Sequence, residues 1–307
     1  MKPVRGQQGL PLESTDTTGD PIMILSQICT ELIRYILLHL RSLEYYSEKY
    51  SRAPLPDGSH KVVVSFTTIP DRIHRISPMI KSLMDQDMRP HRIYLVVPKF
   101  SNRENKPYQI PPEIETNPHI TILRVEKDWG PATKLIPTLL HERDRPETRI
   151  IVVDDDTTYP RKLVSTFTNS SEQYPDAAFT SRGWNIPESF VHKNRINVVS
   201  SKVQQMTPVE IVQGASGYLV KPKFFDAQLV DYRKALPAAF YADDIWVSGH
   251  LASQKIPRYV MPMPVYFFRI VAFSNRRTLS LSRHENISGR NNETMYRYFR
   301  RFWKGTQ

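Results

Sequence analysis

Cys29 is the single cysteine among 307 residues. No intrachain disulfide is available to the chain, and neither thiol-pair nor Cys-based zinc chemistry can be built elsewhere in it. Such usage favours a reducing compartment. The first twenty residues lack the basic start, apolar run and small-residue cleavage site of a secretory signal, and their polar, aperiodic composition reads as a disordered leader over 1–20. A long uninterrupted apolar run is also missing. From Pro21 to about residue 50, Ile22, Leu25, Ile28, Leu32, Ile36 and Leu40 recur at helical spacing, but Gln27, Glu31, Arg34 and His39 interrupt the roughly 20 apolar residues that a membrane span needs. The 21–50 segment is expected to be an amphipathic helix, docked or interfacial. No internal repeat is present, and no nucleic-acid recognition motif accompanies the basic residues, which argues against a nucleic-acid partner. Three sequons, at Asn169, Asn286 and Asn292, matter only in a secreted protein.

What is present suffices for a sizeable core: 40% of residues are hydrophobic and 24% charged. The formal net charge of +11 is uneven, because the stretch from Arg276 onward holds eight Arg or Lys against two Glu. A basic C-terminal helix or tail over 286–307 is therefore expected. Together with the 21–50 helix it offers a route to peripheral contact with an anionic membrane by an otherwise cytoplasmic protein; a solvated helix face is the simpler reading.

Between these ends the pattern alternates. Lys61–Thr68 reads as a strand closed by Ile69-Pro70, Ile73–Met88 as a helix, and Arg92–Pro98 as a second strand. A third strand is expected at Ile120–Val125, followed by a turn at Asp128-Trp129-Gly130-Pro131 and a helix that Pro137 should kink. A helix near Lys162–Gln173 and a strand at Ala177–Thr180 come later. Gly183–Met206 reads as a long loop or small insertion over a ligand crevice. A strand at Val209–Gln213 is expected to continue through Gly214–Gly217 into Tyr218–Val220, and a helix follows from Ile245. Pro264–Phe268 reads as a strand.

The informative stretch is Arg149–Asp156, in which β-branched residues apolar on both faces end abruptly in three aspartates. A strand of that composition belongs inside a parallel sheet, and ligands bind beyond the carboxyl ends of such strands. On an extended backbone Asp154 and Asp156 point to one side and Asp155 to the other. Two same-side carboxylates call for a cation, and hard oxygen donors suit Mg²⁺ or Mn²⁺, which usually also hold substrate phosphates.

Taken together, these elements resemble the GT-A fold of nucleotide-sugar glycosyltransferases, most closely family 2 enzymes, including versions carried by large algal viruses. The resemblance spans about Lys61–His284 and implies an α/β, Rossmann-like domain over 60–285 with a mostly parallel central sheet flanked by helices. It also implies nucleotide-sugar contacts from Thr67, Thr68, Pro70 and Arg72, from Asp128, Gly130 and Lys134, and from Asp154 and Asp155. Asp154–Asp156 matches the family's D-x-D metal motif. His284 falls where some members carry a metal-binding His. Gly214–Gly217 resembles the acceptor loop, which with Trp246 makes Gly217 and Trp246 acceptor-binding candidates. Asp243-Asp244 resembles the catalytic acidic pair, Asp243 standing where the family has Glu and Asp244 where it has the base. The implied activity is transfer of a sugar from a UDP- or GDP-type donor to a hydroxyl of a glycan, glycoprotein or glycolipid, with inversion and with Mn²⁺ or Mg²⁺ as cofactor.

Two rivals explain the same residues. Asp154–Thr158 also fits the D-x-D-x-T nucleophile motif of haloacid-dehalogenase-type phosphatases, although that strand normally opens its domain, whereas about 90 patterned residues precede it here. A carbohydrate- or membrane-binding module on a decayed transferase fold is the non-enzymatic reading. Plain helix capping is the bland alternative for Asp243 and Asp244.

Overall fold

The computed structural model describes residues 21–58, 60–231, 236–263, 270–271 and 288–303. The expected leader over 1–20, the strand at 264–268 and the basic stretch from Arg276 to Asn286 lie outside the described residues.

The 21–50 segment forms two helices, α1 (Pro21–Leu40) and α2 (Leu43–Arg52). The break falls where Ser42 caps α2, its Oγ accepting the Tyr45 N–H at 3.2 Å. The main body then alternates. β1 (Val62–Thr67) leads to α3 (Ser77–Met84) and β2 (Arg92–Pro98). A short ribbon, β3 (Phe100–Ser101) and β4 (Lys106–Pro107), and one turn of helix, α4 (Pro112–Glu115), precede β5 (Ile120–Val125). Next come α5 (Ile136–His141), β6 (Arg149–Val152), β7 (Thr157–Thr158) and α6 (Leu163–Gln173). The later strands are β8 (Ala178–Thr180), β9 (Arg182–Asn185), β10 (Ile196–Val199), β11 (Thr207–Pro208), β12 (Ile211–Val212) and β13 (Tyr218–Val220). Finally α7 (Asp243–Ser253), β14 (Arg258–Val260), β15 (Ile270–Val271) and α8 (Arg290–Tyr298) complete the described chain.

Eight strands form one sheet in the order β11-β14-β8-β13-β6-β1-β2-β5. The pairs β6/β1, β1/β2, β2/β5 and β14/β8 are parallel, whereas β13 runs antiparallel to both β6 and β8. This is the expected α/β, Rossmann-like architecture with a mostly parallel sheet. Alternate residues feed two cores. Val62, Val64 and Phe66 of β1 face α2, α3 and α6, while Val63 joins Tyr94, Val96 and Ile150 beneath α5, α7 and α8. All of the β1 residues named here are fully buried, and each such side chain is worth roughly 1.5–3 kcal/mol of transfer free energy.

Several expectations are corrected by the structure. Pro78 and Pro137 sit in the first turns of their helices, where a missing N–H costs nothing. The predicted long helices therefore split into a 3₁₀ turn (Ile73–Arg75, Gly130–Lys134) followed by a short α-helix, and Pro137 starts α5 instead of kinking it. Of the two expectations for Gly183–Met206, the small insertion is the one found: it contains the antiparallel hairpin β9–β10. The strand expected over 209–220 is divided by a 3₁₀ turn at Gly214–Ser216 and by Gly217 at φ +84°, so that β12 and β13 enter different sheets. The described part of the C-terminal segment is packed: Met295, Tyr296, Phe299 and Trp303 are buried, and Phe299 lies so close over Gly249 that no Cβ would fit there.

Candidate active site

β6 ends at Val152, and Asp154–Asp156 form the turn beyond it. The strand alternation used to pair Asp154 with Asp156 therefore stops short of them, and each carboxylate is placed by its own partners. Asp154 Oδ1 accepts from Lys134 Nζ at 2.8 Å. Asp155, 7% exposed, accepts from Thr68 Oγ1 and from Arg72 Nη1, both at 2.6 Å. Asp156 Oδ2 lies 3.9 Å from the same guanidinium nitrogen, and its side chain is about a quarter exposed. Burial opposes charge on Arg72, but Asp155 and Asp156 outweigh it and hold the pKa above the ordinary guanidinium value.

Lys134 closes the 3₁₀ turn Gly130–Lys134. Its ammonium also lies 2.9 Å from Asp243 Oδ2, so one buried cation links the aspartate turn to the start of α7. Burial disfavours that charge, yet Asp154, Asp243 and Asp244 together hold the ammonium well above its usual pKa. Asp243 and Asp244 occupy the first turn of α7, and Ala242 is the N-cap residue. Neither carboxylate does the plain capping weighed above. Asp244 Oδ1 instead accepts the Gly214 N–H at 2.9 Å. A Cβ on Gly214 would lie 2.6 Å from Lys134 Nζ, so only glycine lets backbone and ammonium come this close. Burial first, and then the neighbouring charge of Asp243, push the Asp244 carboxyl up to about 8; Lys134 and the Gly214 N–H offset part of this.

These groups line one cavity of about 610 Å³ at the carboxyl ends of β1 and β6. Thr67, Thr68, Arg72, Asp128, Gly130, Lys134, Asp154, Asp155, Asp156, Asp243 and Asp244 all reach it. Asp128 also fixes its loop, accepting the Gly130 N–H at 2.7 Å and the Asn102 N–H at 2.8 Å. Pro70, Gly217 and Trp246 do not line the cavity. Pro70 is buried behind its loop, and Gly217 makes the turn into β13, packed toward Phe167 and Leu163. The Trp246 indole is 2% exposed, donates to the Leu229 carbonyl at 2.9 Å and packs on His250 and Phe299, so it belongs to the core and not to an acceptor site. His284 lies outside the described residues.

One wall of the cavity is formed by Arg182, Trp184, His192 and Arg195 of the β9–β10 hairpin with Asn292 of α8; the segment expected over the crevice does reach it, but sequence reasoning singled out neither Arg182, His192 and Arg195 nor Asn292. Trp184 Nε1 donates to Tyr296 Oη at 2.8 Å, and the same oxygen accepts from His192 Nδ1–H at 2.6 Å. Asn292 Nδ2, which can only donate, gives its proton to His192 Nε2 at 3.0 Å and so fixes the ring proton on Nδ1. Burial and Arg195 lower the His192 pKa to about 4, which keeps this chain neutral. The aromatic and cationic residues of 182–195 were the available signal, but their mixed polarity hid the strand pairing. Asn292, one of the three sequon residues, has its amide engaged here. A larger groove of about 1020 Å³ runs past Asn185, Ile196 and Tyr259 and holds none of the carboxylates, so the chemistry belongs to the smaller cavity.

Among the described residues no three His, Cys, Asp or Glu side chains are arranged to hold a metal ion. The aspartate turn offers two carboxylates, Asp154 and Asp156, each already beside a cation of the chain, Lys134 and Arg72. That donor set fits Mg²⁺ or Mn²⁺, which take one or two carboxylates and fill the rest of their shell with water and phosphate oxygen.

The class of protein defined here is thus a Rossmann-like α/β protein with an acidic crevice at its parallel strand ends. No family model and no curated protein matches the chain. Among solved structures it is similar to the mannosyltransferase PcManGT from Pyrobaculum calidifontis, solved in complex with GDP-Man and Mn²⁺, at 18% identity over 83% of this chain and 70% of that one, with a TM-score of 0.43. Among the described residues no helix is long and apolar enough to cross a membrane.

Proposed function

We propose that this chain is a metal-dependent glycosyltransferase moving a sugar from a UDP- or GDP-type donor to an acceptor hydroxyl, with inversion. The observation that carries the reading is the convergence in one cavity of the Asp154–Asp156 turn, Lys134 and the Asp243-Asp244 pair. Asp154 and Asp156 would hold the divalent ion, whose contribution when bound is to offset charge on the departing diphosphate. Lys134 adds a fixed cation beside the same carboxylates, in a site where preorganised charge is worth more than in water. Thr67, Thr68, Arg72 and Asp128 form the donor side in this reading. Asp244 is the general base. Its Oδ1 is occupied by the Gly214 N–H, which leaves Oδ2 to take the acceptor proton, and its raised proton affinity suits that task. Asp243 keeps the Asp244 proton affinity high and fixes Lys134. The acceptor, a glycan, glycoprotein or glycolipid, is assigned to the wall formed by Trp184 and Arg195.

Calorimetric titration of UDP and GDP, with Mn²⁺ and then with EDTA, tests the proposal. Micromolar binding of one nucleotide that vanishes with EDTA is expected. No binding under either condition, together with Mg²⁺-dependent hydrolysis of p-nitrophenyl phosphate, would replace it with the phosphatase reading.

A further inference from the structure

Helix α1 has two apolar faces, and the protein uses one of them. Arg34, Tyr35 and Leu38 are buried against α3 and the chain beyond it. Arg34 Nε donates to Asp85 Oδ2 at 2.6 Å, and Nη1 donates to the Tyr159 carbonyl at 2.9 Å. At 3.6 residues per turn, Leu25, Cys29, Leu32, Ile33, Ile36 and Leu40 fall within an arc of about 100° on the opposite side of the helix. All six are exposed, Leu25 at 62%, Ile33 at 59%, Ile36 at 55% and Leu40 at 76%. The stripe is about 22 Å long, at 1.5 Å per residue. It carries no charge, because the two charged residues of α1, Glu31 and Arg34, pair with each other on the docked side.

We infer that this stripe docks the protein on an anionic lipid surface, with α1 lying in the plane of the interface. Water exposure of five large aliphatic side chains in one row is a standing cost that acyl chains would relieve. The row is too small for a stable protein partner, whose interfaces use about 20–30 residues a side. At its C-terminal end stands Tyr45, 42% exposed, with the Arg41 guanidinium stacked 4.2 Å from its ring. An aromatic with a cation suits the headgroup layer, and the chain's net charge of +11 favours anionic lipid. None of the cavity residues belongs to α1.

The test is flotation of the full chain with vesicles of phosphatidylcholine, with and without phosphatidylserine, for wild type and for Ile33→Glu/Ile36→Glu. Both substituted side chains point away from the body, so the variant is expected to keep the wild-type thermal midpoint. Its flotation with serine-containing vesicles should fall at least about tenfold, because aliphatic burial is replaced by a carboxylate at both positions. An environment-sensitive dye on Cys29, the chain's single cysteine, should shift to the blue on addition of the same vesicles. Wild type that stays below the vesicles, or a double variant that floats equally well, overturns the inference. So does a wild-type dimer in light scattering that the variant converts to monomer, which would assign the stripe to a second copy of the chain.

Discussion

Asp244→Asn should lose transfer and yet stabilise the fold, because one carboxyl serves the first at the expense of the second. In the folded chain the Asp244 carboxyl titrates at about 8, whereas an unfolded aspartate titrates near 3.9. Between those values the folded state keeps a proton that the unfolded state has released. Stability therefore falls as pH rises through this window and is highest below it. At 1.36 kcal/mol per pH unit the full loss at pH 7 is about 4 kcal/mol. The cavity admits water and Lys134 lies close by, which reduces the expectation to about 2 kcal/mol. Asparagine keeps an Oδ1 for the Gly214 N–H and has no proton to lose. At pH 7 its thermal midpoint should exceed wild type by about 4 °C, taking about 2 °C per kcal/mol for a chain of this size. The gap should close below about pH 4, where both side chains are neutral in both states. Transfer should fall roughly 10²–10⁴-fold with nucleotide affinity unchanged, and kcat/KM of wild type should climb with pH toward about 8. Calorimetric melting across this pH range is the assay. Equal midpoints at pH 7, or a gap that persists at pH 4, would refute the placement of a high-affinity proton on Asp244; a fully active variant would reassign the base.

Three further substitutions probe the rest of the cavity. Asp156→Ala should abolish metal-dependent nucleotide binding and turnover while leaving the far-ultraviolet spectrum and melting unchanged, and normal activity in this variant would remove the metal proposal. Gly214→Ala places a Cβ 2.6 Å from Lys134 Nζ and 3.2 Å from Asp244 Oδ1; displacing the ammonium should cost about 1–3 kcal/mol in urea unfolding and at least about tenfold in transfer, the rate equivalent of about 1.4 kcal/mol. Arg72→Ala removes the cation from the buried Asp155 carboxylate and leaves it the Thr68 hydroxyl, so it should destabilise by about 3–5 kcal/mol in the same assay. Arg72→Lys should recover part of that loss, since a point charge replaces the guanidinium without its fork.

Strands β1, β2 and β6 were legible because each is buried on both faces, so composition and length alone mark it; β5, the half-buried edge strand, showed through its β-branched run Ile120–Ile122. The aspartate turn was legible because a buried parallel strand can end in three carboxylates only where something outside the sheet compensates them. Connections between distant segments were not legible. That Lys134 joins Asp154 to Asp243, 20 and 109 positions away, follows from the parallel register of β1 with β6 and from where α7 begins, and neither is encoded near residue 134. The antiparallel β13 escaped for a similar reason: Tyr218–Val220 has the apolar character of any buried strand, and only Gly217 at φ +84° sends it back between β6 and β8. Misreading it as the continuation of 209–213 left Gly217 free to be imagined at a ligand. The same logic explains α1. Its apolar residues were counted as one amphipathic pattern, yet a stripe that docks and a stripe that does not have equal hydropathy. Only the buried Arg34–Asp85 pair separates them, by turning one polar side chain into the contact and leaving six apolar ones in water.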